Sequence, residues 1–287
     1  MSGGLLINGA LMPIAGLTIV PPASQGGPER CQLSPEDYRM RPQTWVSKVV
    51  PHTTGGNWPQ MVIRGAGPSG HAIEIFDLWR GRDRGGGERI SSAAHIVVDF
   101  DGVVYCAADL QLHETYHAQA INPSSIGIEM CTRPDWSIYQ ATLESTVTLI
   151  AALTISGRRG SGLFPIPFQH RSGAYNGQPL RRLEVAGVQS SGADVVGVIG
   201  HRDQTGRRGR GDPGDELFRL LELAGSEPID YDARQDLELG KQRQRRLNEI
   251  DAKVGNTYSP LAIDGVCGPA SVTAMLRHGF SRWRDVE

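Results

Sequence analysis

The segments Gly200-His201-Arg202-Asp203 and Asp212-Pro213-Gly214 constrain this chain more than any other feature, because they set a histidine and a carboxylate at the two ends of one loop. The apolar run Val196-Gly197-Val198-Ile199 reads as a short buried strand that delivers His201 at its end. Asp212 precedes Pro213, and proline suits a first helical position because it has no amide donor to lose there. Asp212 is therefore expected to cap that helix, with its carboxylate held in place. A neutral imidazole and a carboxylate are both good zinc ligands. A tetrahedral site that keeps a position open for water needs a third protein ligand.

The third ligand expected is His52. Trp45 to Val50 alternates enough for a strand, and Pro51-His52-Thr53-Thr54-Gly55-Gly56 carries the punctuation of a strand end. Two strands ending on one side of a sheet would bring the two imidazoles together. Elsewhere, Ile126, Ile128 and Met130 alternate with Gly127 and Glu129, so a strand there buries the first set and turns Glu129 to the other face. A carboxylate beside a divalent metal can take the proton of an attacking water and pass it to a leaving amine. The metal polarises the attacked carbonyl and lowers the water's pKa to about 7.

Three segments, in order over roughly residues 45 to 223, resemble the zinc-dependent N-acetylmuramoyl-L-alanine amidases of the type 2 family, which includes phage lysins and peptidoglycan recognition proteins. They are His52-Thr53-Thr54, then Asn122-Pro123-Ser124-Ser125-Ile126-Gly127-Ile128-Glu129, then Gly200-His201-Arg202-Asp203 with Arg210-Gly211-Asp212-Pro213-Gly214. The resemblance implies a zinc ion on His52, His201 and Asp212, with Glu129 as general base. It implies an oxyanion-stabilising role for Arg210, where the family carries lysine; arginine keeps the charge but does not release a proton at working pH. It also implies substrate contacts from His95, His117, Asn122 and Thr53, the two histidines shaping the groove. The implied reaction is hydrolysis of the amide between N-acetylmuramic acid and L-alanine in peptidoglycan. The same fold can also recognise muropeptides without cutting them, or serve as a structural tail protein.

Composition sets outer limits. The formal net charge of -2 offers no broad basic field for nucleic acid, and 21% charged with 39% hydrophobic residues describes a globular chain. Cys31, Cys106, Cys131 and Cys267 are scattered without a Cys-x-x-Cys pair, so a structural zinc finger is not expected and free thiols are. His71, His113, His170 and His278 have no partner pattern and are expected to be structural. The run Leu5 to Val20 is broken by Asn8, Gly9, Pro13 and Gly16, so it fits neither a signal core nor a membrane helix. The expectation is a chain made in the cytoplasm that acts on the cell wall, released through a holin-type pore or carried by a phage tail or injection device.

The expected architecture is α/β, a mixed central sheet flanked by helices, plus a small C-terminal helical domain. Residues 1–40 form an N-terminal arm with Asn8-Gly9 as a tight turn. The arm either docks to a particle scaffold or lies as an extra edge strand on the sheet. Residues 41–225 form the catalytic domain. Within it, Ala94–Val98 and Val103–Tyr105 read as a hairpin. A helix from Tyr139 to Ser156 carries Leu143, Val147, Ile150 and Thr154 and ends at Gly157. A second follows Pro213, packing through Leu217, Leu220, Leu221 and Leu223. The stretches Gly70–Arg89 and Phe164–Ser191 read as loops. Residues 226–239 are a polar linker and 240–287 a helical module. There, Ile263-Asp264-Gly265-Val266-Cys267-Gly268-Pro269-Ala270-Ser271 resembles the centre of the three-helix peptidoglycan-binding domain.

Overall fold

A computed structural model describes residues 3–42, 46–54, 71–80, 92–133, 135–155, 162–172, 183–185, 188–190, 196–204, 211–229, 234–255, 258–264, 269–280 and 286. In chain order the strands are β1 (Leu5–Ile7), β2 (Ala10–Met12), β3 (Ile19–Val20), β4 (Tyr38–Met40), β5 (Lys48–Thr53), β6 (Ile96–Val98) and β7 (Val104–Cys106). They continue with β8 (His113–Thr115), β9 (Ser125–Met130), β10 (Gln169–Arg171), β11 (Leu183–Val185), β12 (Val188–Ser190), β13 (Gly197–Val198) and β14 (Glu227–Ile229). Eight of them form one mixed sheet in the order β14-β10-β13-β5-β9-β6-β7-β3. Within it only β6 and β7 run antiparallel; the other neighbours are parallel. This is the expected α/β architecture.

Parallel strands need cover on both faces, and the alternation in β9 shows how the chain supplies it. Ile126, Ile128 and Met130 point to the face packed by helices Gln140–Leu153 and Asp215–Leu223, where Leu143, Leu149, Ile150, Leu153, Leu217, Phe218 and Leu221 are buried. Each fully buried side chain there contributes about 1.5–3 kcal/mol of transfer free energy. Helix His71–Trp79 covers part of the opposite face, with Ala72, Ile75, Phe76 and Trp79 against Val97, Tyr105 and Cys131.

Several boundaries differ from expectation. The first of these two packing helices ends at Leu153, with Thr154 as its C-cap, and Gly157 lies outside the described residues. In the second, Phe218 takes the core position expected of Leu223, which is exposed. The expected loop Gly70–Arg89 contains helix His71–Trp79, and Phe164–Ser191 contains β10 and the β11–β12 hairpin. The expected linker begins with β14, which pairs with β10, so the sheet runs on to Ile229. Short polar segments such as Glu227-Pro228-Ile229 read as linker because an edge strand needs little apolar pattern of its own.

The N-terminal arm lies on the sheet. Asn8 and Gly9 both have positive φ (49° and 76°), the geometry of a two-residue hairpin turn, between the antiparallel strands β1 and β2. Asp109 pins the turn by accepting the N–H groups of Asn8 and Gly9. Leu5, Leu6 and Ile19 are buried in the main core, and β3 is the sheet's edge strand beside β7. At the other end, helices Arg234–Lys253 and Pro269–Arg277 pack through Leu247, Ala274 and Met275 with Val286 and Val196. Gln244 donates to Asp264 and Ser271, tying the Asp264–Ser271 motif to the long helix. No helix among the described residues is long and apolar enough to cross a membrane.

Candidate metal centre

His52 lies inside β5, not beyond it. Pro51 does not stop the strand, because β13 pairs only with Lys48 and Val49. Val49 accepts from Ile199 on that side, and alternate residues face the same neighbour. The donor that Pro51 lacks therefore faces a side where β13 has already ended. On its other side β5 runs parallel to β9 with His52 opposite Glu129, so both side chains leave the same face of the sheet.

β13 then delivers His201, which opens the short helix His201–Gln204. The residues around it tie His201 to Asp212. Asp203 accepts the Gly200 N–H and an Arg171 N–H, and the backbone N–H of Arg202 donates to the Asp212 carbonyl at 2.7 Å. The Arg202 guanidinium reaches Asp215 and lies over the Phe218 ring. A Cβ at Gly200 would lie 2.9 Å from Asp203 Oδ2, so a larger residue there would have to displace the carboxylate that accepts the Gly200 N–H. Burial raises the Asp203 pKa, opposed by Arg202 and Arg171.

Asp212 is not a helix cap. The Asp212–Pro213 peptide is cis, and the next helix starts at Asp215 with Gly214 as its N-cap. The Asp212 carboxylate is oriented instead by β5: Thr53 N–H donates to Asp212 Oδ1 at 3.1 Å, and Thr53 Oγ1 donates to the Gly211 carbonyl at 2.5 Å. Thr53, expected to touch substrate, donates both its N–H and its hydroxyl to the Gly211–Asp212 segment.

These constraints bring the three expected ligands together. The donor atoms of His52, His201 and Asp212 all lie within 4.8 Å of one another. His52 Nδ1 is 3.8 Å from Asp212 Oδ1, and His201 Nδ1 is 3.1 Å from Asp212 Oδ2. The two imidazole rings stand edge to face, 4.4 Å apart. The His side chains are buried and Asp212 is 13% exposed, so the carboxylate forms the rim. His201 Nδ1 is buried and makes no hydrogen bond despite its closeness to Asp212, since the contact lacks hydrogen-bond geometry. A buried nitrogen aimed beside a carboxylate without a proton shared between them fits a cation ligand. The donor set of two imidazoles and one carboxylate suits zinc.

The two histidines expected in the groove are both buried. His95 is fully buried. Its Nδ1 accepts the Gly127 N–H and contacts Thr115 Oγ1, and its Nε2 faces the His113 carbonyl. His117 and Asn122 are also buried. His117 Nδ1 lies 3.0 Å from His52 Nε2, and burial, with His201 and Arg41 nearby, lowers its pKa to about 3. Asn122 Oδ1 accepts the backbone N–H groups of His117 and Ala118. Of the three, His117 touches the expected ligand His52, and Asn122 holds the His117 backbone. Arg210, with Arg207 and Arg208, lies outside the described residues.

Sequence reasoning missed Arg41. Its guanidinium donates to the carbonyls of Leu110, Gln111, His113, Asn122, Pro123 and Ser125, clamping the segment that carries His117. Burial lowers its pKa to about 10 against the pull of Glu114 and Asp109. A lone arginine in a polar stretch gives no signal of this. Trp136, 52% exposed and held at φ 71°, was also missed; a side chain built on Gly211 would meet its ring at 3.8 Å, so it stands at the rim. Of the other histidines, His113 stacks on Tyr38, His170 bonds Ser226 and His278 bonds Asp251, while the side chain of His71 lies outside the described residues. Cys31, Cys106 and Cys131 are buried free thiols, and Cys267 lies outside the described residues.

Comparison with known proteins gives one family match. Residues 42–215 match the profile of the N-acetylmuramoyl-L-alanine amidases. Among solved structures, the chain is similar to a selenomethionine derivative of AmpD, at 20% identity over 76% of this chain and 98% of that one, TM-score 0.39. It is similar to wild-type Drosophila PGRP-LB, at 14% identity over 73% and 95%, TM-score 0.40. It is also similar to the Ph2119 endolysin from Thermus scotoductus MAT2119 bacteriophage, at 17% identity over 73% and 99%, TM-score 0.33. No curated protein matches.

Proposed function

Because the chain belongs to the N-acetylmuramoyl-L-alanine amidase family, we propose that it is a zinc hydrolase that cuts the amide joining the lactyl group of N-acetylmuramic acid to L-alanine in peptidoglycan. The observation that carries this reading is the convergence of His52, His201 and Asp212 on the sheet face that also bears Glu129. Those three residues would hold the ion. When bound, zinc polarises a carbonyl and lowers the pKa of water.

The chain's own residues do the rest. Glu129, one strand away from His52 at a spacing of about 4.8 Å, takes the proton of the attacking water and returns it to the leaving amine. Thr53 fixes the angle of the Asp212 carboxylate. Arg210 follows Arg207 and Arg208 in the sequence between His201 and Asp212 and supplies positive charge for the developing oxyanion. The C-terminal helices, with the Asp264–Ser271 motif, serve to hold the enzyme on the wall.

The test is release of new N-terminal alanine from purified peptidoglycan by the zinc-loaded full chain. A preparation that binds zinc yet leaves glycan and peptide joined would point instead to a recognition protein.

A further inference from the structure

The residues beneath His52 fix where its proton sits. Ser125 Oγ lies 2.7 Å from the Ile121 carbonyl oxygen and 3.1 Å from His117 Nε2. A carbonyl only accepts, so the single hydroxyl proton of Ser125 goes to Ile121. Ser125 Oγ is then the acceptor at its other contact, and His117 Nε2 carries an N–H. A neutral imidazole has one N–H, so His117 Nδ1 is an acceptor. His52 Nε2, 3.0 Å away, must donate to it.

We propose that His117, backed by Ser125 and the Ile121 carbonyl, is a positioning residue that locks His52 in the Nε2–H tautomer, so that its Nδ1 lone pair permanently faces a divalent cation beside Asp212. Outer partners of metal-bound histidines generally set tautomer and ring orientation in this way. Here the partner is a second imidazole whose own tautomer is set by a serine.

The sequence around β9 is built for this arrangement. Asn122 holds the His117 backbone, Ser125 sets its proton, and Gly127 leaves room for its ring, which a Cβ there would strike at 2.6 Å. The Asn-x-x-Ser-x-Gly-x-Glu pattern thus supports one ligand from below and ends on the residue opposite that ligand.

The consequence for metal binding rests on the zinc reading above; the tautomer does not. Nitrogen-15 NMR of the metal-free chain reads the tautomer directly, and competition with a chromophoric chelator reads zinc affinity. The wild type should show His52 protonated on Nε2. His117→Phe, which removes the acceptor, should lose that preference and bind zinc about 10–100-fold more weakly. His117→Asn, which puts an amide oxygen where Nδ1 was, should retain the tautomer and stay within about threefold of the wild-type affinity. Circular dichroism establishes that each variant is folded. Finding His52 protonated on Nδ1 in the wild type overturns the proposal. So does a folded His117→Phe that matches wild type in both tautomer and affinity. A wild-type chain with the Nε2–H tautomer that takes up no zinc overturns the metal reading and leaves the tautomer lock standing.

Discussion

Replacing Gly127 with alanine tests the packing beneath the metal centre. The added methyl would lie 2.6 Å from His117 Cγ and 2.9 Å from both Cδ2 and Nδ1. Carbon atoms pack comfortably near 3.6 Å, so the ring must retreat by about 1 Å. It has little room to do so. Ser125 holds its far nitrogen, Asn122 holds its backbone, and His52 meets its Nδ1. A shift of about 1 Å exceeds the roughly 0.5 Å range of hydrogen-bond lengths, so the 3.0 Å contact with His52 is expected to be lost. Overpacking costs about 1–3 kcal/mol and the lost hydrogen bond about 1 kcal/mol. A central value of about 3 kcal/mol corresponds to a fall of roughly 6–12 °C in Tm, at about 2–4 °C per kcal/mol for a domain of this size. Thermal unfolding followed by circular dichroism, with and without zinc, measures it. Gly127→Ala unfolding within about 1 °C of wild type would refute the packing argument.

Further outcomes follow from the same coordinates. Chelation should abolish amide hydrolysis and added zinc should restore it, while Asp212→Ala should weaken zinc binding by more than the roughly 10–100-fold typical of outer-shell partners, read by the same chelator competition. Glu129→Gln should bind zinc like wild type but lower kcat by about 10²–10⁴-fold, measured by alanine release. Asp99 is buried, and desolvation raises its pKa to about 6 although Phe100 and Ala72 donate to it. Its folded-state pKa exceeds the unfolded value of 3.8, so the unfolded chain binds fewer protons between those values and stability falls as pH rises from about 4 to 6. Urea titrations should show wild type losing about 2–3 kcal/mol relative to Asp99→Asn across that window.

The convergence of His52, His201 and Asp212 was legible in the sequence because each residue sits in a local pattern with its own cause. His52 follows an apolar run near the end of its strand, and His201 follows another strand whose glycine and aspartate close a tight turn. Glu129 occupies the opposite phase of an alternation that buries Ile126, Ile128 and Met130. The N-terminal turn was legible for the same reason, since Asn-Gly tolerates two positive φ values. Boundaries were less so. Pro51 looks like a strand end, and only the absence of a β13 partner beyond Val49 allows the strand to continue. Asp212 before Pro213 looks like a helix cap, and only the approach of Thr53 turns its carboxylate toward the histidines.

By itself, the sequence determined the α/β class, the β1–β2 and β6–β7 hairpins, and which residue types were available to hold a cation, because these depend on patterns a few residues long. Only the tertiary structure decided how those residues are used. Arg41 reaches across to six carbonyls between Leu110 and Ser125, and His117 turns away from solvent to support His52. Such roles depend on which strands lie side by side. Hydrogen bonds between residues more than sixty positions apart leave no trace in local periodicity.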